Sequence, residues 1–194
     1  MNKREQQRTE RREQILYCSL DLFISRGYEA TKIRDIAKQL NISTGLFFNY
    51  FASKEKVYEE LITYGTMGPK SLFAQMLGGP SPLRMLEDMT QAIFEAIKTD
   101  SFTSKMFLLM VQAMQSEATP DSVKQILQGF DMTTPSVALI SQGQQMGEIR
   151  PGNPLALASA YWGAIQGIAQ NMALAPDMPL PEVDWILDIL RTKQ

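Results

Sequence analysis

The chain has 194 residues, of which 44% are hydrophobic and 21% charged, close to the averages for soluble globular proteins. It has one cysteine, Cys18, and no histidine, which excludes intramolecular disulfides, histidine-bound zinc or haem, and Ser-His-Asp or Cys-His catalysis. Composition alone leaves carboxylate chemistry with Mg²⁺ possible, but we expect no catalytic residue, no metal and no cofactor. No apolar run approaches the roughly 18 residues of a membrane span, and the polar N-terminus does not resemble a signal peptide. The sequence thus predicts a cytoplasmic protein.

Charge is distributed unevenly along the chain. Residues 1–56 contain 11 Lys and Arg against 7 Asp and Glu, a net charge of +4. Residues 57–194 contain 8 against 14, a net charge of −6. A basic first quarter indicates an anion-binding module joined to a different kind of domain, although a solvated charged helix would give the same signal.

Helical periodicity predicts the first helix over residues 8–26. Gly27 follows it and suits the left-handed conformation that ends many helices. The apolar stripe of this helix consists of Ile15, Leu16, Leu20, Phe23 and Ile24.

Three shorter helices follow, each preceded by a residue that can cap it. Thr31 is expected to cap the second, Ser43 the third (Thr44 to about Tyr50) and Ser53 the fourth (Lys54 to about Tyr64).

A tight turn, residues 41–43, joins the second and third helices. Asn41 can adopt the left-handed conformation, and Ala37 lets the two helices pack closely. Residues 33–51 therefore predict a helix-turn-helix, in which the second helix enters a DNA major groove. A helical hairpin formed for packing alone would show the same pattern.

The remaining chain predicts a larger helical bundle. Gly68-Pro69 and residues 78–82 are expected to break the chain before it. The predicted helices span residues 83–98, 101–117, 121–130, 135–146, 154–174 and 182–192. The predicted fold is all-α, with a three-helix N-terminal domain over residues 1–52, a connecting helix over 53–65 and a C-terminal domain over 53–194.

Residues 27–61, GYEATKIRDIAKQLNISTGLFFNYFASKEKVYEEL, resemble the DNA-binding domain of TetR-family transcriptional regulators. The rest of the chain resembles that family only in layout, with GEIRPG before the penultimate helix. The resemblance implies a homodimeric regulator that represses transcription, binds a palindromic double-stranded operator and is released by a small apolar ligand. It also implies that the C-terminal domain binds the ligand and forms the dimer.

The resemblance also implies residue roles on DNA. Arg34 is expected to bind guanine or phosphate, and Lys54 to bind phosphate. Arg34 paired with Asp35 or Glu29 is the alternative, and Thr31 acting only as a cap is another. The implied DNA-binding residues are Thr31, Lys32, Arg34, Ser43, Thr44, Gly45, Phe48, Asn49, Tyr50 and Lys54.

The sequence departs from the family pattern in the third helix. The family usually has hydroxyl-bearing aromatics where this chain has Phe48 and Asn49. Phe48 can contact only methyl groups or sugar, whereas Asn49 can read adenine through two hydrogen bonds. Tyr50 is expected to contact phosphate or to pack on the first helix. Phe47 and Phe51 are expected in the core.

Nine of the twelve methionines lie between Met67 and Met146, a flexible and polarisable composition that suits an irregular apolar cavity. Such residues also serve as ordinary core. We expect the ligand-pocket wall to include Phe107, Met110, Met114 and Tyr161.

Small residues recur on one face of the predicted helix 154–174, where another helix could approach closely. The expected dimer interface comprises Ala156, Ala160, Gly163 and Gly167 with Trp185 and Ile189 of the last helix. Packing within one chain is the alternative.

Two other classes of function are alternatives to a ligand-controlled repressor. One is a DNA-binding architectural or division factor that uses the same dimer without ligand control. The other is an enzyme, which the lack of histidine and of clustered carboxylates disfavours.

Overall fold

The computed structural model describes residues 2–76 and 79–192, without the side chains of Leu72, Phe73, Gln75 and Met76. These residues form ten α-helices, and their only β pairing is an isolated bridge between Ile149 and Arg191. The all-α prediction is therefore confirmed. The helices are α1 (Lys3–Arg26), α2 (Ile33–Gln39), α3 (Thr44–Phe48), α4 (Lys54–Met76), α5 (Pro82–Thr99), α6 (Ser101–Gln115), α7 (Asp121–Gln128), α8 (Thr133–Gln145), α9 (Pro154–Leu174) and α10 (Val183–Leu187).

None of the helices in the described ranges is both long enough and apolar enough to cross a membrane.

The chain divides into two compact units. Unit 1 comprises residues 1–66 and 108–129, and unit 2 comprises residues 67–107 and 130–194. The chain therefore passes between the units within α4 and within α6. This division follows a different line from the predicted boundary after residue 52.

Unit 1 is built on the apolar stripe of α1. Ile15, Leu20 and Phe23 are buried, together with Phe47 and Leu61. An aromatic group closes the C-terminal end of the stripe: the Phe23 and Tyr58 rings meet edge to face, and Tyr28 stacks on Tyr58 at 4.6 Å between centroids. This core holds α2 and α3 against α1.

Residues 108–129 join unit 1 through side-chain hydrogen bonds. Gln112 Nε2 donates to the Ile24 carbonyl at the end of α1 (3.2 Å), and Ser122 Oγ donates to Glu55 Oε1 at the start of α4 (2.7 Å). Val123 of α7 is fully buried. The C-terminal half of α6 and all of α7 thus pack with residues 1–66 in unit 1, although residues 67–107 separate them in the sequence.

Two helices are much longer than predicted. α1 begins at Lys3 because Asn2 caps it: Asn2 Oδ1 accepts from the Arg4 N–H, and the Asn2 N–H donates to Glu5 Oε2. The prediction of a break at Gly68-Pro69 is wrong, because α4 continues to Met76 with Pro69 inside the helix. Gly78, in the second predicted break, lies outside the described residues.

The last helix is much shorter than predicted. It ends at Leu187 because Leu190 is drawn into a different contact, in which its carbonyl accepts from the Arg150 N–H at 2.8 Å. Arg150 belongs to the GEIRPG turn. Gly143 of α8 packs directly on this turn, since a Cβ at Gly143 would stand 2.6 Å from Ile149 Cδ1.

Unit 2 buries apolar faces of α5, α8, α9 and α10 in one cluster. Two hydroxyls lie inside it: Thr90 Oγ1 and the Tyr161 hydroxyl are 2.8 Å apart, and both donate towards the Leu86 carbonyl, at 2.8 and 3.1 Å. Every polar atom of this pair therefore has a partner within unit 2.

α9 has two contrasting faces. Its inner face, Ala158, Tyr161, Ile165 and Ala169, is fully buried. Its outer face is exposed in the single chain and is made mainly of small residues: Ala156, Ser159, Ala160 and Gly163. No acidic or basic residue occurs between Pro154 and Ala175.

Candidate nucleic-acid interface

The turn between α2 and α3 has the geometry of a helix-turn-helix. Asn41 has a φ of 52°, which confirms the left-handed conformation predicted for it. The Ile42 N–H donates to the Ala37 carbonyl at 2.9 Å, and Ser43 Oγ caps α3 by accepting from the Leu46 N–H at 3.0 Å. Phe47 is fully buried and fixes which face of α3 points inward.

The outward face of α3 presents five of the expected DNA-binding residues: Ser43, Thr44, Gly45, Phe48 and Asn49. Phe48 is 52% exposed, and its ring stands edge to face on the buried Phe47 ring, 5.7 Å between centroids. An exposed phenyl group is apolar surface that water hydrates poorly, so it favours contact with methyl groups.

Asn49 is the C-cap of α3, with its backbone N–H directed to the Leu46 carbonyl at 3.2 Å. Its side chain is exposed and makes no hydrogen bond to any described residue. The amide therefore keeps both a donor and an acceptor, the combination that pairs with the major-groove edge of adenine.

Arg34 and Lys32 lie exposed at the start of α2. The Asp35 carboxylate accepts from the Lys32 N–H at 3.1 Å. Within the described ranges, Arg34 has no ion pair, so neither Asp35 nor Glu29 neutralises its guanidinium.

The structure corrects the prediction for Thr31. The N-cap position of α2 is Lys32, and Thr31 is fully buried. Its hydroxyl donates to the Leu22 and Gly27 carbonyls, at 3.2 and 2.8 Å, and so holds the connector between α1 and α2. A side chain in this position stabilises the fold and does not reach a phosphate.

Lys54, the first residue of α4, is half-buried on the aromatic group of unit 1. Its Nζ lies 4.0 Å from the Tyr28 ring centroid and donates to the Tyr28 carbonyl at 2.5 Å. Burial lowers the pKa of Lys54, and the Glu29 carboxylate opposes part of this effect. An ammonium group has three donors, so this arrangement uses one and leaves two for a phosphate.

Arg12 connects α1 to α4. Its guanidinium forms a two-bond ion pair with Glu60 and lies 4.6 Å from the Phe51 ring centroid. The hydrogen bond to Glu60 raises the pKa of Arg12. This arginine links the middle of α1 to α4 and to Phe51, and its guanidinium is already paired with a carboxylate.

A basic groove runs beside α3, and the N-terminal part of α1, which we also expect to contact phosphate, supplies most of its lining. It has a volume of about 610 Å³, and its lining includes Arg4, Arg8 and Arg11 of α1 with Tyr50. The arginines are spaced at i, i+4 and i+7, which places them on one helix face. This spacing can be read from the sequence alone. Tyr50 was expected either to contact phosphate or to pack on α1. Its side chain is half-buried and lines this groove together with residues of α1.

The four expected ligand-pocket residues are not brought together within one unit. Phe107 and Tyr161 belong to unit 2, whereas Met110 and Met114 belong to unit 1. Met110 is buried, but Met114 is 51% exposed. The Tyr161 hydroxyl is bonded to Thr90 and Leu86 and the side chain is fully buried, so in this conformation it is a core group.

The expected dimer residues all lie in unit 2. Ala156, Ala160 and Gly163 are exposed on α9, and Trp185 of α10 is 66% exposed. Gly167 and Ile189 are half-buried. A Cβ at Gly163 or Gly167 would meet nothing within 4 Å, so this part of α9 is open in the single chain.

Comparison with known proteins identifies relatives of the N-terminal region. Residues 15–61 match the family model described as bacterial regulatory proteins, tetR family. The HTH-type transcriptional repressor KstR2 of Mycolicibacterium smegmatis is 35% identical over 89 residues, which is 45% of this chain and 43% of KstR2. The chain thus spans less than half the length of the curated relatives it matches first.

Solved structures resemble the chain over most of its length. The ketosteroid transcriptional regulator KstR2 of Mycobacterium tuberculosis has a TM-score of 0.72 at 22% identity, covering 94% of this chain and 96% of its own. AibR in complex with isovaleryl coenzyme A and operator DNA has a TM-score of 0.65 at 18% identity, covering 92% and 94%. At these identities the likeness establishes a shared fold.

Proposed function

We propose that this chain, whose N-terminal domain belongs to the TetR family of bacterial regulatory proteins, is a homodimeric transcriptional repressor that a small apolar ligand releases from a palindromic operator. It acts on DNA in the cytoplasm and is a regulator, not an enzyme.

The observation that carries the proposal is the exposed face of α3. A helix that is buried through Phe47 alone on its inner side presents Thr44, Gly45, Phe48 and Asn49 outward. The B-DNA major groove is about 12 Å wide and admits one helix. Lys32, Arg34, Ser43 and Lys54 then supply phosphate contacts around the bases that α3 reads.

Dimerisation is supported by the outer face of α9. A 21-residue helix without a charged side chain exposes Ala156, Ala160 and Gly163 in the single chain, with the bulky Trp185 exposed on α10. Exposed apolar surface of this kind marks an interaction site, and small residues allow close helix approach. A second copy of the same face provides the self-complementary partner that a two-fold dimer requires.

Ligand control is supported by the character of unit 2 and by the relatives. The interior of unit 2 is apolar, with Thr90 and Tyr161 as its paired hydroxyls. A ligand that displaces this pair would meet two hydroxyls and the Leu86 carbonyl in an otherwise apolar space, and small-molecule sites commonly offer such a small polar group. We therefore place the effector wall at Phe107 and Tyr161, and treat Met110 and Met114 as parts of unit 1.

Release follows if the ligand favours one position of α4. This helix carries Lys54 at its first residue and continues beyond Thr66 into unit 2. Half-sites one helical turn apart, roughly 34–36 Å, tolerate little change in the separation of two recognition helices. A coupling of about 1–3 kcal/mol between ligand and operator is sufficient.

Selection of bound duplexes from a random DNA pool tests the DNA-binding proposal. We expect the full chain to enrich two inverted half-sites spaced by a whole number of helical turns. Enrichment of a single unpaired site would contradict the dimer, and no enrichment over an unselected pool would contradict the function.

A ligand screen against the selected operator tests release. We expect an apolar compound that both raises the Tm and lowers operator affinity, with the Tyr161→Phe variant shifting the ligand dose and leaving operator affinity unchanged. Compounds that raise the Tm without affecting DNA binding would favour a ligand-independent DNA-binding factor.

A further inference from the structure

We propose that the groove between α1 and α3 is a second DNA-binding surface, which holds the sugar-phosphate backbone of the duplex whose bases α3 reads. The inference rests on the proposed function. The groove, of about 610 Å³, is formed by Arg4, Arg8 and Arg11 of α1 on one side and by Leu46 and Tyr50 on the other. We call these three arginines the arginine stripe.

The arginine stripe has a fixed geometry. Residues at i, i+4 and i+7 share one face of a helix, and seven residues at 1.5 Å each place Arg4 about 10 Å from Arg11 along the axis. The capping box formed by Asn2 and Glu5 begins α1 at Lys3, so the stripe lies on helix over its whole length. One DNA strand carries a phosphate every 3.4 Å or so along the duplex axis, so a stripe about 10 Å long can reach more than one phosphate of the same strand.

The charge of the stripe is uncompensated. In the part of the chain that the structure describes, Arg4, Arg8 and Arg11 form no ion pair, whereas the neighbouring Arg12 is bound to Glu60. Glu10 is the single acidic residue among those that line the groove. Three adjacent cations that repel one another reduce the stability of an isolated helix, and a polyanion in the groove would remove that repulsion.

The chemistry of the lining fits a phosphodiester. Guanidinium groups bind phosphate oxygens through two parallel hydrogen bonds, and the Gln7 and Gln14 amides and the Tyr50 hydroxyl are further donors of the kind that contact DNA backbone. Leu46 lies in the middle of α3 and also lines the groove, so a duplex seated on α3 brings its backbone to the stripe. A small anion would use the same donors, and the experiment separates the two.

The test compares the wild-type chain with R4Q/R8Q/R11Q. Glutamine has a helix propensity close to that of arginine, so the variant keeps α1. A second triple variant, R84Q/K98Q/K124Q, removes the same charge from exposed side chains that pair with Asp88, Glu95 and Asp121. Circular dichroism and Tm establish that both variants are folded.

The measurement is operator affinity between 50 and 200 mM salt. Loss of three phosphate contacts lowers the slope of log K against log salt by about 2.7. The salt concentration rises fourfold over this range, and four raised to the power 2.7 is about 40. The wild type would therefore lose roughly 40-fold more affinity than R4Q/R8Q/R11Q. The control triple is expected to keep the wild-type slope.

Phosphate ethylation interference locates the contact. We expect two or three ethylation-sensitive phosphates per half-site in the wild type to become insensitive in R4Q/R8Q/R11Q. An unchanged slope and ethylation pattern would overturn the inference. A second pair of results would also overturn it: millimolar inorganic phosphate protects the arginine stripe of the wild type, and R4Q/R8Q/R11Q binds DNA as the wild type does. A wild type that binds no DNA would instead contradict the proposed function.

Discussion

The ammonium of Lys54 is held on Tyr28 by two interactions at once. Its Nζ lies 4.0 Å from the ring centroid and donates to the backbone carbonyl of the same residue at 2.5 Å. Tyr28 in turn stacks on Tyr58 of α4. The first residue of α4 is thereby tied to the connector between α1 and α2, and its charge is held in place in the free chain.

Replacing Lys54 by alanine is expected to weaken binding to specific and random DNA alike and to lower the salt slope by about 1. The stability loss should be small, about 0.5–1 kcal/mol for the cation–π contact. Fluorescence anisotropy at several salt concentrations and urea unfolding measure the two effects. Lys54→Arg is the matched control, because it keeps the charge and the ring contact. A wild-type slope in Lys54→Ala would mean that Lys54 serves only the fold.

Replacing Asn49 by alanine is expected to relax the base preference at one operator position, at a cost of roughly 1–3 kcal/mol. The reason is that its exposed amide has no partner among the described side chains and can pair with a base. The preference is measured by comparing affinities for four operators that differ only in the base at one position, with each position tested in turn. Equal weakening on specific and random DNA would show that Asn49 does not read a base.

Phe48 is expected to contact a thymine methyl group, because its ring is 52% exposed and held on Phe47. Exchanging that thymine for deoxyuridine should weaken binding by the wild type and leave the already weakened Phe48→Ala variant unaffected. Each operator thymine is exchanged in turn and the affinity measured with both proteins. If deoxyuridine has the same effect on both, then Phe48 does not contact the methyl group.

Gly163 and Gly143 separate assembly from folding. Gly163→Leu should not lower the Tm of the monomer, since a Cβ there meets nothing within 4 Å in the chain and leucine favours the helix, but it should disrupt the dimer by overpacking. Gly143→Val should lower stability by about 1–3 kcal/mol, because the new side chain overlaps the buried Ile149. Analytical ultracentrifugation and thermal unfolding measure both. A Gly163→Leu variant that stays dimeric at low micromolar concentration would place the interface elsewhere.

Cys18 predicts how stability changes at alkaline pH. Burial raises the pKa of its thiol from 9.0 to about 11, so the folded state favours the neutral thiol. The stability that this buried thiol contributes is complete below pH 9. It is lost as the pH rises from 9 towards 11, because over that range the thiol ionises in the unfolded chain but not yet in the folded one. Unfolding of the wild type and Cys18→Ala from pH 8 to 11 measures the difference. At pH 8 the native thiol should also react slowly with a disulfide reagent; rapid reaction would contradict its burial.

Local sequence determined most of the backbone of this protein. α9 spans residues 154–174 as predicted, because Asn153 caps it and Pro154 suits its first position. The left-handed Asn41 and the Ser43 cap of α3 also follow from the preferences of single residues. The exposed α3 residues were predicted from one motif of about 35 residues, since helix, turn and helix are contiguous there.

Only the tertiary structure decided how residues far apart in sequence use their polar groups. Thr31 was expected at a helix cap, but its hydroxyl is bonded to two carbonyls inside unit 1. Tyr161 was expected to face a ligand, yet it meets Thr90, 71 residues away. α10 stops early because Leu190 contacts Arg150.

The arginine stripe combines a feature that the sequence determined with one that only the fold decided. The sequence determined that Arg4, Arg8 and Arg11 share a helix face, because that depends on helix periodicity alone. Whether they are neutralised depends on which acidic residues approach from elsewhere in the fold. Glu60 reaches Arg12 and not the stripe, since Arg12 points towards α4 while the stripe faces α3. Periodicity is a property of consecutive residues, whereas charge pairing is decided by packing, and only the folded chain supplies it.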